Sequence, residues 1–243
     1  METILIITAA VLWGCGTGVL LPRPAYRFSV PPEEPWRSAC PAGHPLNGVG
    51  GGWLGRARCA AGDTYGPSTL SAASVTAVVC ALLAAAIGSS PELVVWLLLA
   101  PAAVLLATVD LAAHRLPDVL TLTLAAATLL LLGGAEVLPG SGGSWTSALL
   151  GSFILGAFHV VLFLLSKGFG FGDVKLVLFL GAVLGWYGWV IVLVGTFAGY
   201  LFGALCGIGL MLAGRADRTS RIPFGPFLLA GTLAGVLLGS HAS

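Results

Sequence analysis

Asp110 and Asp173 are the residues of this chain best suited to chemistry. Asp110 follows the apolar run Leu105-Leu106-Ala107-Thr108-Val109, and Asp173 follows Gly168-Phe169-Gly170-Phe171-Gly172. An ionisable group at the edge of a long apolar run is costly to keep, which makes it a functional candidate by default. Two carboxylates that meet in a partly dry site do not both ionise easily; one pKa rises and the pair shares a proton. One member then activates water while the other protonates a leaving group. That is aspartic-protease chemistry, and it calls for no metal. Each residue also has a plainer reading. Asp110 would close a helix end against His114 or Arg115. Asp173 would cap a helix, where Asp is favoured and its charge is stabilised by about 0.3–1 kcal/mol. Residue physics alone leaves both readings open.

The neighbours sharpen the chemical reading. Gly168, Gly170 and Gly172 alternate with Phe169 and Phe171. The spacing is not that of a G-x-G-x-x-G nucleotide loop, and no strand precedes it. Glycines tolerate close backbone approach, so the expectation is a tight, unwound helix entry beside Asp173 that an extended substrate can reach. Lys175 is either part of that site or a snorkelling anchor. Asp118 follows Pro117 at the start of a new helix and reads as a cap or orienting residue. The other acids, Glu2, Glu33, Glu34, Asp63, Glu92, Glu136 and Asp217, read as solvated surface charge.

These residues must be positioned by membrane helices. The 243 residues are 57% hydrophobic and 9% charged, against roughly 25% charged in a soluble domain. That balance excludes a soluble enzyme, a disordered tail and a nucleic-acid binder. The expected fold class is an all-α polytopic membrane helical bundle. A bilayer core needs about 20 apolar residues per helix, which gives about eight spans: 3–21, 69–88, 92–110, 119–135, 146–165, 174–186, 188–213 and 224–240. The break near Trp186-Tyr187-Gly188-Trp189 reads as an aromatic belt at headgroup level. The first span has Glu2 and no basic flank, so it reads as a retained anchor rather than a signal peptide. The chain divides into a first transmembrane helix (1–21), a loop (22–68) and a transmembrane core (69–243).

All eleven Lys and Arg fall in alternate connections: Arg23, Arg27, Arg37, Arg56 and Arg58; Arg115; Lys167 and Lys175; Arg215, Arg218 and Arg221. Basic residues accumulate on the cytoplasmic side. Both termini are therefore expected outside, and Asp110 and Asp173 share the cytoplasmic face. A small transporter would instead want its acids near the midplane, at broken helices.

Three segments, in order, carry a resemblance. Gly170-Phe171-Gly172-Asp173-Val174-Lys175-Leu176 resembles the G-x-G-D-x-K-L signature of type IV prepilin peptidases, members of the GxGD intramembrane aspartic protease group. Asp110 through Leu116-Pro117-Asp118 resembles that family's other aspartate motif, and Ile222-Pro223-Phe224-Gly225-Pro226 its segment before the last helix. The resemblance covers roughly 105–240. It implies catalytic Asp110 and Asp173, with Gly170, Gly172, Lys175 and Asp118 around them. It also implies removal of the short basic leader of a prepilin or pseudopilin at the cytoplasmic face of a bacterial inner membrane, in a pilus or secretion system. The implied partners are that substrate and the bilayer. The rival reading is a non-catalytic scaffold of such a system, or a small transporter.

The N-terminal third departs from the family pattern. Many members carry two Cys-x-x-Cys pairs there, a zinc-type arrangement. Here the segments are Cys40-Pro41-Ala42-Gly43-His44 and Cys59-Ala60-Ala61-Gly62, each without its second cysteine. A structural zinc site wants four ligands. Cys40, His44, Cys59 and Asp63 are a conceivable set, but the expectation is a metal-free remnant with reduced thiols and no cofactor. Arg23, Arg27, Trp36 and Trp53 are expected to lie on the membrane surface. S-adenosylmethionine enters only if the family's second activity, N-methylation, survives the shortened loop. Cys15, Cys80 and Cys206 lie in apolar runs and read as small core residues.

Overall fold

The computed structural model describes residues 1–31, 33–59, 61–165, 170–215, 217 and 222–241. Lys167, Gly168, Phe169, Arg218 and Arg221 lie outside the described residues. The described residues form helices, with no strand beyond two isolated bridges, Ala39 with Pro45 and Arg58 with Thr64. In chain order the helices are α1 (Glu2–Gly18), α2 (Pro22–Phe28), α3 (Val49–Gly52), α4 (Thr69–Ile87), α5 (Glu92–Ala113), α6 (Asp118–Glu136), α7 (Trp145–Leu165), α8 (Phe171–Trp186), α9 (Trp189–Leu212) and α10 (Gly225–Gly239).

A helix occupies each of the eight expected spans. Five, α4 to α7 and α9, are long and apolar enough to cross a membrane, and a sixth is added if α1 and α2, bent by 46°, count as one. α8 and α10 have 16 and 15 residues, short of the roughly 20 that a full crossing takes. Local chemistry sets the ends. Gly88 closes α4 at φ 68°, and His114 closes α5 at φ 50°, a left-handed position uncommon for a residue with a side chain. Pro117 then blocks continuation before α6.

The first compact unit comprises Met1–Ser89 and Trp96–Pro117. Its α1 and α4 pack at glycine range: a Cβ on Gly14 would stand 2.7 Å from Ala77 Cα, and one on Gly18 2.7 Å from Ala73 Cα. Small residues at such crossings let membrane helices approach closely. The Trp13 indole donates to the Leu97 carbonyl at 2.7 Å. Cys80 is fully buried, in line with its reading as core, while Cys15 is half-buried.

The loop of this unit packs on itself. Phe28, Trp36 and Trp53 pack mutually, edge-to-face or tilted, with centroids 4.9–5.4 Å apart, and the Arg27 guanidinium lies 4.0 Å over Trp53. Arg23 donates to the Asn47 carbonyl at 2.8 Å. The expected surface quartet is thus largely a self-contained aromatic–arginine cluster, although Trp36 keeps 40% of its surface exposed.

The second compact unit comprises Ser90–Val95 and Asp118–Ser243. α8 is its centre, packed against α6, α7, α9 and α10. Twelve of its residues are buried, so it is apolar all round rather than striped. The α7–α8 crossing is a backbone contact at Gly151 and Gly181, sealed by Ser152 Oγ donating to the Leu178 carbonyl at 2.7 Å.

Two expectations are corrected here. Trp186 is 1% exposed; its indole lies over Gly143 rather than in a headgroup belt, because glycine leaves a flat seat for the ring. Trp189, at 45%, faces outward. Glu92, expected at the surface, is 2% exposed, with Oε1 accepting the Gly142 N–H at 3.1 Å. The connection between α6 and α7 folds back over it and covers the carboxylate.

Candidate functional site

α8 begins at the residues singled out in the sequence. Gly170 is its N-cap, with φ −81° and ψ 146°, so glycine is not there to supply left-handed backbone. Its value is space: a Cβ at 170 would stand 3.5 Å from Asp173 Oδ2. Gly172 already lies within the first helical turn. Among the described residues the expected unwound entry is represented by the extended Gly170, ahead of a helix that starts three residues earlier than its apolar run.

Asp173 is the third residue of α8, and its Oδ2 accepts the Gly170 N–H at 3.2 Å. Asp173 is therefore not the N-cap that its plain reading expected; Gly170 holds that place, and Asp173 reaches back to it from the third position of the helix. That contact does not exhaust the side chain, because a carboxylate accepts several hydrogen bonds. Asp173 is 9% exposed, while Gly170 and Phe171 beside it are exposed. A nearly dry carboxylate thus sits behind an open backbone edge at a helix N-terminus.

Asp118 opens α6 and pairs with Lys175: Nζ to Oδ1 is 2.6 Å. The same ammonium lies 4.7 Å over the Phe171 ring. Lys175 therefore turns toward the start of α6 instead of serving as an isolated anchor. The pair ties the α6 and α8 entries together, in keeping with an orienting role for Asp118. Its side chain is 62% exposed, unlike that of Asp173.

Asp110 belongs to the first unit. It lies in the last turn of α5 and is 4% exposed. Of its two suggested structural partners, His114 donates its backbone N–H to the Asp110 carbonyl at 2.8 Å. Arg115 Nη1 donates to the carbonyls of Val30 and Pro31 at 3.2 and 2.8 Å. In the second unit Asp173, Asp118, Lys175 and Gly170 come together.

A buried pair escaped the sequence reading. His159 in α7 is 1% exposed. Its Nδ1 donates to the Leu155 carbonyl at 2.9 Å, and its Nε2 accepts from the Tyr200 hydroxyl at 2.8 Å. The Tyr200 ring packs, tilted, with its centroid 5.3 Å from that of Phe224. Tyr200 thus links His159 to the Ile222–Pro226 segment. The missed signal was a histidine inside a membrane span, where any ionisable residue is notable.

Three donors converge in the loop. Cys40 Sγ lies 2.8 Å from Cys59 Sγ, Cys59 Sγ lies 3.0 Å from His44 Nδ1, and Cys40 Sγ lies 3.7 Å from the same nitrogen. Hydrogen bonding from Cys59, helped by His44, outweighs burial and lowers the Cys40 thiol to about 7. Two sulfurs and an imidazole nitrogen suit zinc, the metal implied by the family's paired cysteines.

Apolar helices crossing at glycines define a polytopic membrane helical bundle, with one buried carboxylate in the last turn of α5 and another in the first turn of α8. The type IV leader peptidase family model matches residues 97–212. A prepilin leader peptidase/N-methyltransferase of Aeromonas hydrophila is 36% identical over 229 residues, covering 87% of this chain and 73% of the relative. One of Aeromonas salmonicida strain A449 is 36% identical over 226 residues, covering 86% and 72%. Leader peptidase HopD of Escherichia coli is 39% identical over 75 residues, covering 30% of this chain and 44% of the relative. No solved structure matches significantly. This chain belongs to the type IV leader peptidase family.

Proposed function

We propose that the chain is an intramembrane aspartic endopeptidase that removes the basic leader from prepilin-like proteins at the cytoplasmic membrane face. The observation that carries the reading is the setting of Asp173, a 9% exposed carboxylate at the exposed Gly170–Phe171 edge of α8. Family membership supplies the substrate class, since the relatives are named prepilin leader peptidases. The alternation of Lys and Arg among the connections supports the cytoplasmic side, both termini outside, and an inner-membrane location.

The two aspartates share one proton and hold one water. The ionised member takes a proton from the water as its oxygen attacks the scissile carbonyl. The protonated member first supports the carbonyl oxygen and then supplies the proton that leaves with the amine. The peptide bond breaks, and the pair ends with one proton as it began. The substrate backbone lies extended along Gly170–Gly172, where a side chain at 170 would take the space in front of Asp173 Oδ2 at ordinary contact distance. Asp118 and Lys175 hold the entry in place through their ion pair. No residue is assigned to S-adenosylmethionine, and the proposal is confined to the peptidase.

Co-expression with a prepilin-like protein tests this reading. The wild type shortens the substrate at the leader junction, as N-terminal sequencing of the product reads. A wild type that cleaves no prepilin-like partner would return the chain to the scaffold or transporter class. A protein carrying cysteines at both 110 and 173, with the native cysteines replaced, tests proximity: a crosslink at some linker length is expected, and failure at every length contradicts the shared proton.

A further inference from the structure

His159 takes no part in the aspartate chemistry, yet it lies level with the start of α8. The antiparallel register of α7 and α8 is set at several points. Gly185 packs on Ala148 and Gly181 on Gly151, backbone against backbone. Gly156 then faces the Leu178 side chain, and the Phe163 ring centroid lies 5.5 Å from that of Phe171. His159 follows Gly156 by three positions and precedes Phe163 by four, so it stands on the same seam of α7. It is therefore opposite the turn Phe171–Lys175, which carries Asp173.

The glycine contacts with α7 backbone fall in the half of α8 away from Asp173. Asp173 precedes Gly181 by eight residues, about 12 Å along the axis, so a tilt of α8 about that crossing moves its first turn most. Near Asp173 the wall is built of side chains, and a polar link braces it. His159 Nδ1 is committed to the Leu155 carbonyl of its own helix, and Nε2 to the Tyr200 hydroxyl of α9. The two rings are nearly parallel, 13° apart, with centroids separated by 6.0 Å. The Tyr200 ring packs on Phe224, the N-cap of α10, whose ring in turn covers Gly203 of α9. α7, α9 and the entry to α10 are thus joined at the level where α8 begins.

With both nitrogens committed, the imidazole has one tautomer and one orientation, and it is not a proton carrier for the site. A histidine in a membrane span is costly where a leucine would fill similar space. What a directed hydrogen bond adds to apolar packing is a single setting of one helix against the next. We infer that His159, locked by Tyr200, is a positioning residue for Asp173: the pair fixes α7 against α9 beside the first turn of α8 and so fixes where the Asp173 carboxylate stands. This inference rests on the reading of Asp173 as catalytic.

Hydrogen exchange of the full chain in detergent, read on peptides of α8, tests the placement without substrate. His159→Leu should speed exchange at least about 10-fold over residues 173–178 and leave residues 180–186 as in wild type. His159→Gln, whose amide oxygen accepts the Tyr200 proton, should restore the wild-type pattern. Tyr200→Phe, which keeps the ring on Phe224, should reproduce the effect of His159→Leu and replaces it if that variant does not fold. With a prepilin-like substrate and matched folded protein, His159→Leu and Tyr200→Phe should each lower kcat at least about 10-fold with KM within about two-fold. The double variant should be no worse than either, and His159→Gln should recover most of the rate. Unchanged exchange over 173–178, or equal acceleration along all of α8, overturns the inference. A loss carried by KM, losses that add in the double variant, or failure of His159→Gln to recover the rate overturns it too. A wild type that cleaves no substrate overturns the peptidase reading instead, and the exchange pattern still decides whether the pair holds the first turn of α8.

Discussion

Gly181→Ala isolates the contact that seats α8, the helix that carries Asp173. The added Cβ would lie 2.4 Å from the Gly151 carbonyl oxygen and 2.8 Å from Ser152 Cα, both backbone atoms of α7. Ordinary contact starts near 3.4 Å, so the helices must separate by about 1 Å or the variant must strain. Overpacking of this kind costs about 1–3 kcal/mol. α8 carries Asp173 in its first turn, and a displacement near 1 Å at a reacting group can cost about 100-fold in rate. Two controls separate packing from glycine as such. At Gly156 the added Cβ meets only Leu178 Cδ2, the end of a side chain that can turn away, at 2.6 Å. At Gly170 it meets Asp173 Oδ2 at 3.5 Å. Thermal unfolding in detergent should rank Gly181→Ala well below Gly156→Ala, with Gly170→Ala near wild type. Prepilin cleavage should fall for Gly181→Ala and also for Gly170→Ala, the latter without loss of stability. A Gly181→Ala protein as stable as Gly156→Ala would refute the claim that backbone contact between α7 and α8 sets the site.

The ion pair between Asp118 and Lys175 is exposed on the Asp118 side, so it should contribute about 0.2–1 kcal/mol; Asp118→Asn should keep cleavage within a few-fold of wild type, and a 100-fold loss would make Asp118 a catalytic member. Reversing the pair with Asp118→Lys and Lys175→Asp together should recover activity lost by either change alone. Tyr200→Phe removes the hydroxyl that donates to His159 Nε2 at 2.8 Å and should lower stability by about 1–3 kcal/mol while leaving the ring on Phe224, which calorimetry would read. Glu92→Gln keeps an acceptor for the Gly142 N–H and should unfold no earlier than wild type, whereas Glu92→Ala should unfold earlier.

The membrane class and helix positions were legible because apolar length is a strong signal: all eight expected spans contain helices. Helix ends were less legible. α8 starts at Phe171, ahead of its apolar run, because Asp173 reaches back to Gly170 and stabilises the first turn. Asp173 and Asp118 were visible as acids at span edges, and the Lys175 partner of Asp118 followed from neither periodicity nor spacing. The pairing of His159 with Tyr200 was invisible because they lie on different helices and only the packing of the second unit brings them together. The burial of Glu92 has the same origin, a connection folded back over a carboxylate. In the loop, the approach of Cys40, His44 and Cys59 was not legible, since residue types do not reveal that two hairpins share one backbone geometry.

The most direct test of the shared-proton account is the cleavage rate of one prepilin-like substrate by wild type, Asp110→Ala, Asp173→Ala and the double variant, all at matched folded protein. Residues that work as a unit lose their effect together, so each single change should abolish cleavage and the double variant should be no worse than either. Measurable cleavage by either single variant, or two partial losses that add in the double, would contradict it.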